Sequence, residues 1–475
     1  MAQREEILVK ITIIFAIGTF GSKLIQFILV PFYTRMLNSS EFGTVDLLQS
    51  VVQLLIPIVA LAIYESVFRY AMEKDYDKTA VLTTGVVICV AGIAIMCALA
   101  PVASMFTSAT YVWLVIANSA VNALWTIYSQ YTRAIGRSTL FAIDNILMTF
   151  LVLVLNVLFL AVFKWGINGY MLGYTLANAL STVFLIVCLK GQAKLDFKKI
   201  NKKLTKEMLV FAFPLILNGI CWWLSGFANR VIIVSILGTT ENGIFAAANK
   251  IPSLIYVVMS IFMQAWQMSA NEEFKNKDIA QFYTNIHEQL NTCLIVLSSL
   301  LILFCKPIND VFLGSDFSEA WVYMPPLILS MIYFSLSSFL ISIYSANKET
   351  KMAFVTNIIS VLINIALNFI LIPVMGIMGA SIATLVSYFV LWVVRIFDTS
   401  KIVKIKYNIP VIIVSNLIVV LQTVFICLDL DTIITYSLCS VGTIILVVIH
   451  WKTLISLVKF FLGFVMKFLT KFKKQ

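Results

Sequence analysis

Apolar residues run along this chain in blocks of about 20 to 30, separated by short stretches rich in Lys, Asn, Ser and Gly. At about 1.5 Å of rise per residue, a block of that length spans the hydrocarbon of a bilayer as one helix. The pattern predicts fourteen such helices, at 8–34, 43–68, 80–106, 110–132, 141–163, 167–189, 207–237, 242–268, 284–305, 320–345, 352–373, 377–397, 408–428 and 432–451. The expected fold class is therefore an all-α, polytopic membrane protein. Composition agrees: 61% of the 475 residues are hydrophobic and only 12% are charged. No soluble core of this size hides so much apolar surface beneath a polar skin. A soluble enzyme, a nucleic-acid binder and a disordered scaffold are excluded.

The start, Met1-Ala2-Gln3-Arg4-Glu5-Glu6, leads into a full-length apolar helix without a small-residue cleavage site, so we expect no cleaved signal peptide. The eight cysteines are scattered through apolar segments, no CxxC occurs, and there are two histidines, His287 and His450. That pattern suits small packing residues rather than a zinc site, and no metal or cofactor is expected.

The net charge of +11 acquires a meaning once it is placed on the topology. With both termini cytoplasmic, 28 of the 34 Lys and Arg residues fall on the inner side. They include the seven lysines of 190–206, the group Arg395, Lys401, Lys404 and Lys406, and six lysines from Lys452 onward. The outer ends hold Arg35, Lys164 and Lys306 alone, and Lys23, Arg230 and Lys250 lie inside spans. This asymmetry is the positive-inside signature of a cytoplasmic membrane protein, and a missed span would scramble it. The basic face then meets anionic lipid headgroups rather than nucleic acid. From Lys459 to Lys474, lysines interleave with Phe460, Phe461, Phe464, Phe468 and Phe472, as in an amphipathic helix lying on the membrane. The longest outer loop, from Lys306 to Glu319, is too short to fold alone.

Two stretches repeat. Leu37-Asn38-Ser39-Ser40-Glu41-Phe42-Gly43 aligns with Leu237-Gly238-Thr239-Thr240-Glu241-Asn242-Gly243, each in the outer turn of a first hairpin. Ser or Thr ahead of Glu at these helix starts predicts N-capping. Further on, Leu155-Asn156 and Gly166-Ile167-Asn168-Gly169 match Leu367-Asn368 and Gly376-Ile377-Met378-Gly379, with Asn145 matching Asn357. The repeats define two parallel six-helix lobes, 1–190 and 207–398, joined by a basic cytoplasmic linker at 191–206. Helices 13 and 14 occupy 399–451, and a basic amphipathic tail occupies 452–475. Parallel repeats facing each other suit alternating access in a transporter.

The run Pro31-Phe32-Tyr33-Thr34-Arg35-Met36-Leu37, continuing to Glu41-Phe42-Gly43, resembles the first-hairpin signature of bacterial polysaccharide-unit flippases. Asn229-Arg230 with Leu237-Gly238 and Gly243 to Pro252 resembles the corresponding element of the second half. These are the Wzx-type exporters of the multidrug/oligosaccharidyl-lipid/polysaccharide superfamily. Helices 13 and 14 are similar to an addition found in the peptidoglycan-precursor flippases of the same superfamily. The resemblance implies a substrate of undecaprenyl-pyrophosphate-linked oligosaccharide, carried to the outer leaflet for O-antigen, capsule or exopolysaccharide. It also implies a cationic cavity for the pyrophosphate, no catalytic residues, and work beside polysaccharide polymerase and export machinery.

A basic residue at a helix centre costs roughly 2.5–3.5 kcal/mol on insertion scales. Lys23, Arg230 and Lys250 are thus the candidate substrate cations, with Arg35 at the outer rim as a fourth. Arg230 and Lys250 each lie eight residues from the turn of their hairpin, a depth of about 12 Å. The competing readings are snorkelling for Lys23, and for Arg230 a pairing with a carbonyl or with Asp46. Asp46 and Asp144 are the candidate coupling or gating acids, for H⁺ or Na⁺, although Asp144, at the start of its helix, reads first as a structural cap. Glu65 and Arg69 read as a helix ion pair, and Trp222-Trp223 read as packing or as a stacking surface for sugar rings. Pro57, Pro214 and Pro252 mark breaks or kinks in helices 2, 7 and 8. Two rival functions stand: an ion-coupled drug or cation antiporter of the same superfamily, which would rely on embedded acids, and a membrane polysaccharide polymerase, which would need longer outer loops.

The topology is directly measurable. On a cysteine-free background, single cysteines at Ser39, Thr239 and Ser315 should react with an impermeant maleimide added to intact cells, whereas those at Lys199 and Lys473 should not. Labelling at Lys199 from outside would overturn both the orientation and the repeat assignment.

Overall fold

The computed structural model describes residues 21–23, 25–273, 278–347, 350–428, 432–457 and 459, without the side chains of 217–225, 261, 264, 265, 267–269, 271–273, 350 and 432. Among the described residues every regular element is helical. The chain is a multi-pass membrane protein: among the described residues ten helices are long and apolar enough to cross a bilayer, twelve when each of two bent pairs counts as one span. Of the fourteen spans expected, the first begins outside the described residues and is helical at 25–36 (α1). The seventh lies within α8, Lys202–Ile236.

Three expected spans contain breaks. The second divides into α2, Ser39–Val59, and α3, Ile63–Met72, around Ala60 to Ala62. Pro57 stands just before this break, and Leu61 and Ala62 both take φ of 47°. The fifth span, α6 (Ser138–Asn156), closes in a π-helical turn at Val157–Val162. The eighth is α9, Thr239–Ala248, followed by α10, Pro252–Glu273, with a 51° bend between them. A ring in place of an N–H at position 252 cannot extend the preceding helix, so the chain turns there. The other spans are continuous: α4 (Lys78–Ala103), α5 (Ala109–Ala134), α7 (Gly166–Cys188), α11 (Ile279–Leu303), α13 (Met324–Ala346), α14 (Thr350–Met375), α15 (Ile377–Thr399), α16 (Ile409–Cys427) and α17 (Thr432–Ile449). A short α12, Cys305–Phe312, precedes α13, and α17 bends by 71° into a last helix at Trp451–Leu457. Residues 460–475 of the expected amphipathic tail lie outside the described residues.

The second sequence repeat uses one backbone device twice. Gly166 before α7 has φ of 52°, and its counterpart Gly376 before α15 has φ of 59°. A side chain is strained there, whereas glycine takes the turn freely.

Two compact units make up the chain, Met1–Gly243 and Ile244–Gln475. In the first, Val67, Ala71, Val81, Leu82, Ile127 and Met208 form a dry core between α3, α4, α5 and the start of α8. The basic linker docks on this unit: Tyr131 donates to the Gln192 carbonyl at 2.8 Å, and the Asp196 amide donates to Thr83 Oγ1 at 3.0 Å. Asp77 caps α4 by accepting from the Thr79 amide at 2.9 Å and pairs with Lys199 Nζ at 2.7 Å. In the second unit α13 is the central helix, with Leu327, Ile328, Ile332, Phe339 and Ile343 fully buried. Trp266 Nε1 donates to Ser342 Oγ at 2.8 Å, and His450 bridges Thr292 at 2.8 Å to Ser415 at 2.9 Å.

Arg395 departs from its expected place among the exposed cytoplasmic cations. It lies inside α15 at 1% exposure. Its Nε donates to Thr356 Oγ1 at 3.1 Å, Nη1 to the Ser337 carbonyl at 3.0 Å, and Nη2 to Asn357 Oδ1 at 2.8 Å and the Ala353 carbonyl at 3.3 Å. One side chain therefore ties α13, α14 and α15 together. Its position four residues before the helix end placed it with the loop cations, but the planar fork finds acceptors on two neighbouring helices and stays inside.

Two outcomes follow from these contacts. The Lys199 hydrogen bond holds the Asp77 carboxyl below its usual range, and Asp77 holds the Lys199 ammonium above its own. The carboxylate's contribution is present above its ordinary value and disappears as pH falls through the lowered one; the lysine's is present below its ordinary value and disappears as pH rises through the raised one. Hydrogen-exchange protection of the Thr79 amide, corrected for intrinsic rate, should be flat from about pH 5 to 9 and drop at either extreme, and Asp77→Asn should remove the acid limb. Removing Arg395 should do more. Arg395→Leu strands four acceptors at a cost of roughly 3 kcal/mol or more, which should lower the thermal midpoint in detergent by about 6–12 °C, with Arg395→Lys intermediate. A midpoint within about 2 °C of the parent would show the clamp to be dispensable.

Candidate functional site

The candidate site is built upward from the first repeat. Asn38 caps α2, accepting from the Glu41 amide at 2.9 Å, while Glu41 Oε2 accepts from the Asn38 amide at 3.1 Å. The cap is thus Asn38, one residue before the serines, because its side chain reaches the third amide of the helix and leaves Glu41 free to reach back. In the second copy, Gly238 occupies the equivalent place with φ of 102° and α9 begins at Thr239. The two copies touch. Ser40 and Thr239 hydroxyls are 2.8 Å apart, and Asn242 Nδ2 donates to the Gly43 carbonyl at 2.8 Å. Gly43 and Gly243 lie backbone to backbone, so that a Cβ on either would collide with the other copy.

Asp46, two helical turns into α2 from its cap, pairs with Arg230 of α8. The guanidinium Nε meets Asp46 Oδ2, while Nη1 folds back one turn to donate to the Gly226 carbonyl at 2.6 Å. Of the two sequence readings of Arg230, the geometry takes both bland partners at once, a carbonyl and Asp46. The pair is only partly shielded, with the Arg230 side chain 23% exposed and that of Asp46 10%. Behind it stand aromatic rings of α1 and α7: Tyr33 and Tyr170 with centroids 4.9 Å apart, and Tyr170 and Tyr174 at the same spacing. Gln49 Nε2 also reaches across to Met171 Sδ at 3.7 Å.

The remaining candidates lie elsewhere. Lys23 is half-buried on the helical stretch at 21–23, and Arg35 is exposed near the end of α1. Lys250, in the second unit, lies in the break between α9 and α10 rather than along a continuous helix, and it too is half-buried. Its carbonyl accepts from Ser253 Oγ at 2.7 Å, which braces the start of α10. Asp144 is six residues inside α6 and fully buried, so it is not a cap. Its carboxylate accepts from Trp125 Nε1 at 3.0 Å and from Ser181 Oγ. Arg69 turns away from Glu65: it pairs with Glu73 at 3.6 Å, and its guanidinium lies 4.9 Å over the ring of Phe211. The side chains of Trp222 and Trp223 lie outside the described residues.

Of the six site residues expected, the structure joins Asp46 and Arg230. The signal for that pairing was in the numbering, since Asp46 stands eight residues after Asn38 and Arg230 eight before Gly238. A carbonyl partner for Arg230 was expected without its identity, whereas the tyrosine group and the Trp125–Ser181 donors of Asp144 were not anticipated. None has a charge or a spacing that stands out among so many aromatic and hydroxyl residues.

Comparison with known proteins adds the lineage. A family model described as "Polysaccharide biosynthesis protein" matches residues 8–267, and one described as "Lipid II flippase MurJ" matches residues 253–451. An uncharacterized membrane protein of Methanocaldococcus jannaschii is 26% identical over 260 residues, which cover 50% of this chain and 60% of that relative. The match thus spans about three fifths of the relative's length. Among solved structures, the lipid II flippase MurJ in an inward closed conformation superposes with a TM-score of 0.70 at 15% identity, covering 93% of this chain and 100% of that one. An inward-facing multidrug resistance MATE family transporter of the MOP superfamily gives 0.67 at 13% identity, covering 81% and 94%. At that identity the structural likeness speaks for the fold, and the sequence model, matching more than half of the chain, speaks for descent. The chain belongs to the polysaccharide biosynthesis protein family, on the polytopic fold it shares with MurJ and the MATE transporters.

Proposed function

We propose that the protein is a flippase that carries a lipid-pyrophosphate-linked oligosaccharide across the cytoplasmic membrane by alternating access, with both termini in the cytoplasm. In this reading Lys23, Arg230 and Lys250 receive the headgroup phosphates and Arg35 meets the substrate at the outer rim. The observation that carries the reading is the position of the inner cations. Arg230 is partly exposed, and Lys250 stands at a break in its span, where backbone departs from the helix only if it is buried in protein or lines a cavity. A doubly anionic headgroup entering a low-dielectric cleft requires such fixed positive charge. The family models' descriptions, a polysaccharide biosynthesis protein and a lipid II flippase, support the same substrate class.

A second reading, an ion-coupled drug or cation antiporter, is favoured by one feature. Asp144 is a fully buried acid whose two hydrogen-bond partners, Trp125 and Ser181, are both uncharged. Such an acid suits uptake of H⁺ or Na⁺, which would equally power a flippase. The two readings separate on the substrate.

Alanine at Lys23, Arg230 or Lys250 should leave membrane insertion intact yet reduce surface glycan in a complemented deletion strain by at least about tenfold, a loss of about 1.4 kcal/mol or more in transition-state stabilisation. Lysine–arginine exchange should be better tolerated at Lys23 than at Arg230, where the fork makes two bonds at once. Lys404→Ala, at an exposed loop position, serves as the control. If the triple alanine variant, at normal expression, still exports glycan, the cationic site is wrong; if deleting the protein leaves surface glycan unchanged but abolishes drug efflux, the antiporter reading replaces the flippase.

A further inference from the structure

We infer that the Asp46–Arg230 pair is a latch that the substrate's own phosphate opens, with Asp46 as the internal anion that holds the place of the headgroup. The inference rests on the flippase reading above, but it assigns Asp46 a role that reading does not need. The starting point is that Arg230 is not a waiting cation. Its Nε edge is occupied by Asp46 and its Nη1 by the Gly226 carbonyl. Among the described residues Nη2 makes no hydrogen bond, and the side chain keeps a quarter of its surface exposed. An incoming phosphate oxygen thus has a first donor available before anything is displaced. To gain the bidentate geometry that makes guanidinium–phosphate contacts strong on the Nε–Nη2 edge, where Nη2 is the available donor, it must then take Nε from Asp46. One edge cannot serve two anions, so binding and pairing exclude each other.

The consequence lies in what the pair joins. Asp46 belongs to a helix of the first repeat and Arg230 to the hairpin that opens the second. Near the pair, the crossing between these repeat copies is held by the Ser40–Thr239 hydroxyl contact and by Asn242 on the Gly43 carbonyl, both between neutral groups. The ion pair is the charged tie of that seam. When phosphate takes Arg230, Asp46 loses its cation and α2 loses its charged attraction to α8, and the seam is left with those neutral hydrogen bonds and the Gly43–Gly243 backbone contact. Binding energy is thereby converted into opening at the end of the helices where Asn38 and Gly238 lie. Without cargo the pair stays latched, because Asp46 occupies the site.

The test measures affinity and seam closure on the full-length protein in detergent, with farnesyl pyrophosphate as the probe and farnesol as its uncharged counterpart. Asp46→Asn removes the competing anion and should bind farnesyl pyrophosphate about tenfold more tightly than the parent, whereas Arg230→Gln should bind it at least about tenfold more weakly. Farnesol binding should not change in either. In parallel, a Ser40→Cys/Thr239→Cys pair on a cysteine-free background should form its disulfide readily. The probe should slow this several-fold, and adding Asp46→Asn should slow it to the same level without the probe. Asp46→Glu, which retains the anion, should behave as the parent and guards against a folding defect in the asparagine variant. If Asp46→Asn binds the probe no more tightly while Arg230→Gln still loses it, the latch is wrong and the cationic site stands. If Arg230→Gln and Lys250→Ala both bind the probe as the parent does, the cationic site itself is wrong, and the latch with it.

Discussion

Hydrocarbon offers no partner to a backbone amide or carbonyl, and every departure from helix in this protein has to answer that constraint. At the break in the second span the Ala62 amide reaches back to the Pro57 carbonyl at 2.8 Å, and Ala60 to Ile56 at 3.0 Å. At the end of the fifth, the π turn lets Phe163 bond to Leu158 at 3.0 Å. In the eighth, Lys250 bonds to Ala247 at 3.0 Å and Leu254 to Ile251 at 3.1 Å, so the bend costs few bonds although Pro252 supplies no donor. Side chains follow the same rule. Thr132, Asn156, Thr175 and Ser387 each donate to the carbonyl four residues earlier, which hides a polar group on its own helix.

Charge faces a harsher form of the same constraint, and the protein answers it in three ways. Arg230 and Asp46 neutralise each other. Asp144 is surrounded by donors, and Arg395 by neutral acceptors. The last two occupy related places, because the repeat offset of 212 that maps Asn145 to Asn357 also maps Asp144 to Thr356, an acceptor of Arg395. One half carries a buried anion held by an indole and a hydroxyl; the other carries a buried cation held by a hydroxyl, an amide and two carbonyls. The scaffold is duplicated while the charge at its node is reversed. The corresponding place in each half is thus buried and polar, with an anion at one and a cation against the other.

Much of this architecture was legible in the chain. Long apolar blocks fix helices because a helix satisfies its backbone within one segment in a bilayer, and the described spans fall within a few residues of the expected ones at most ends. The glycines of the repeats were visible as matched letters, and their reason emerged only in three dimensions: a left-handed turn at Gly166 and Gly376, a backbone contact at Gly43 and Gly243. What hydropathy could not see were breaks inside apolar runs, since Ala60-Leu61-Ala62 reads as helix in any window. It also misplaced Arg395, because a window averages over a residue whose burial depends on acceptors supplied by α13 and α14. Partner choice was the least legible of all. Arg69 had carboxylates four residues away on either side, and only the position of Phe211 against its guanidinium accompanies the choice of Glu73.

The Asp46–Arg230 pair shows why pairing inside a transporter differs from pairing in a static core. A salt bridge taken fully out of water gains little over apolar packing, since desolvation of both ions offsets their attraction. One that keeps partial access to solvent has a lower desolvation cost and can exchange partners. At 23% and 10% exposure, with its fork braced by the Gly226 carbonyl, Arg230 holds its orientation whichever anion it meets. In the proposed latch the brace matters because a lysine at that place would follow whichever anion it bound, and the site would lose its fixed geometry. By contrast, Arg395 is fully enclosed and bound to neutral acceptors on two helices, an arrangement with nothing to exchange. The same residue type thus serves the fold where its acceptors are neutral and enclosed, and suits transport where its partner is a replaceable anion within reach of water.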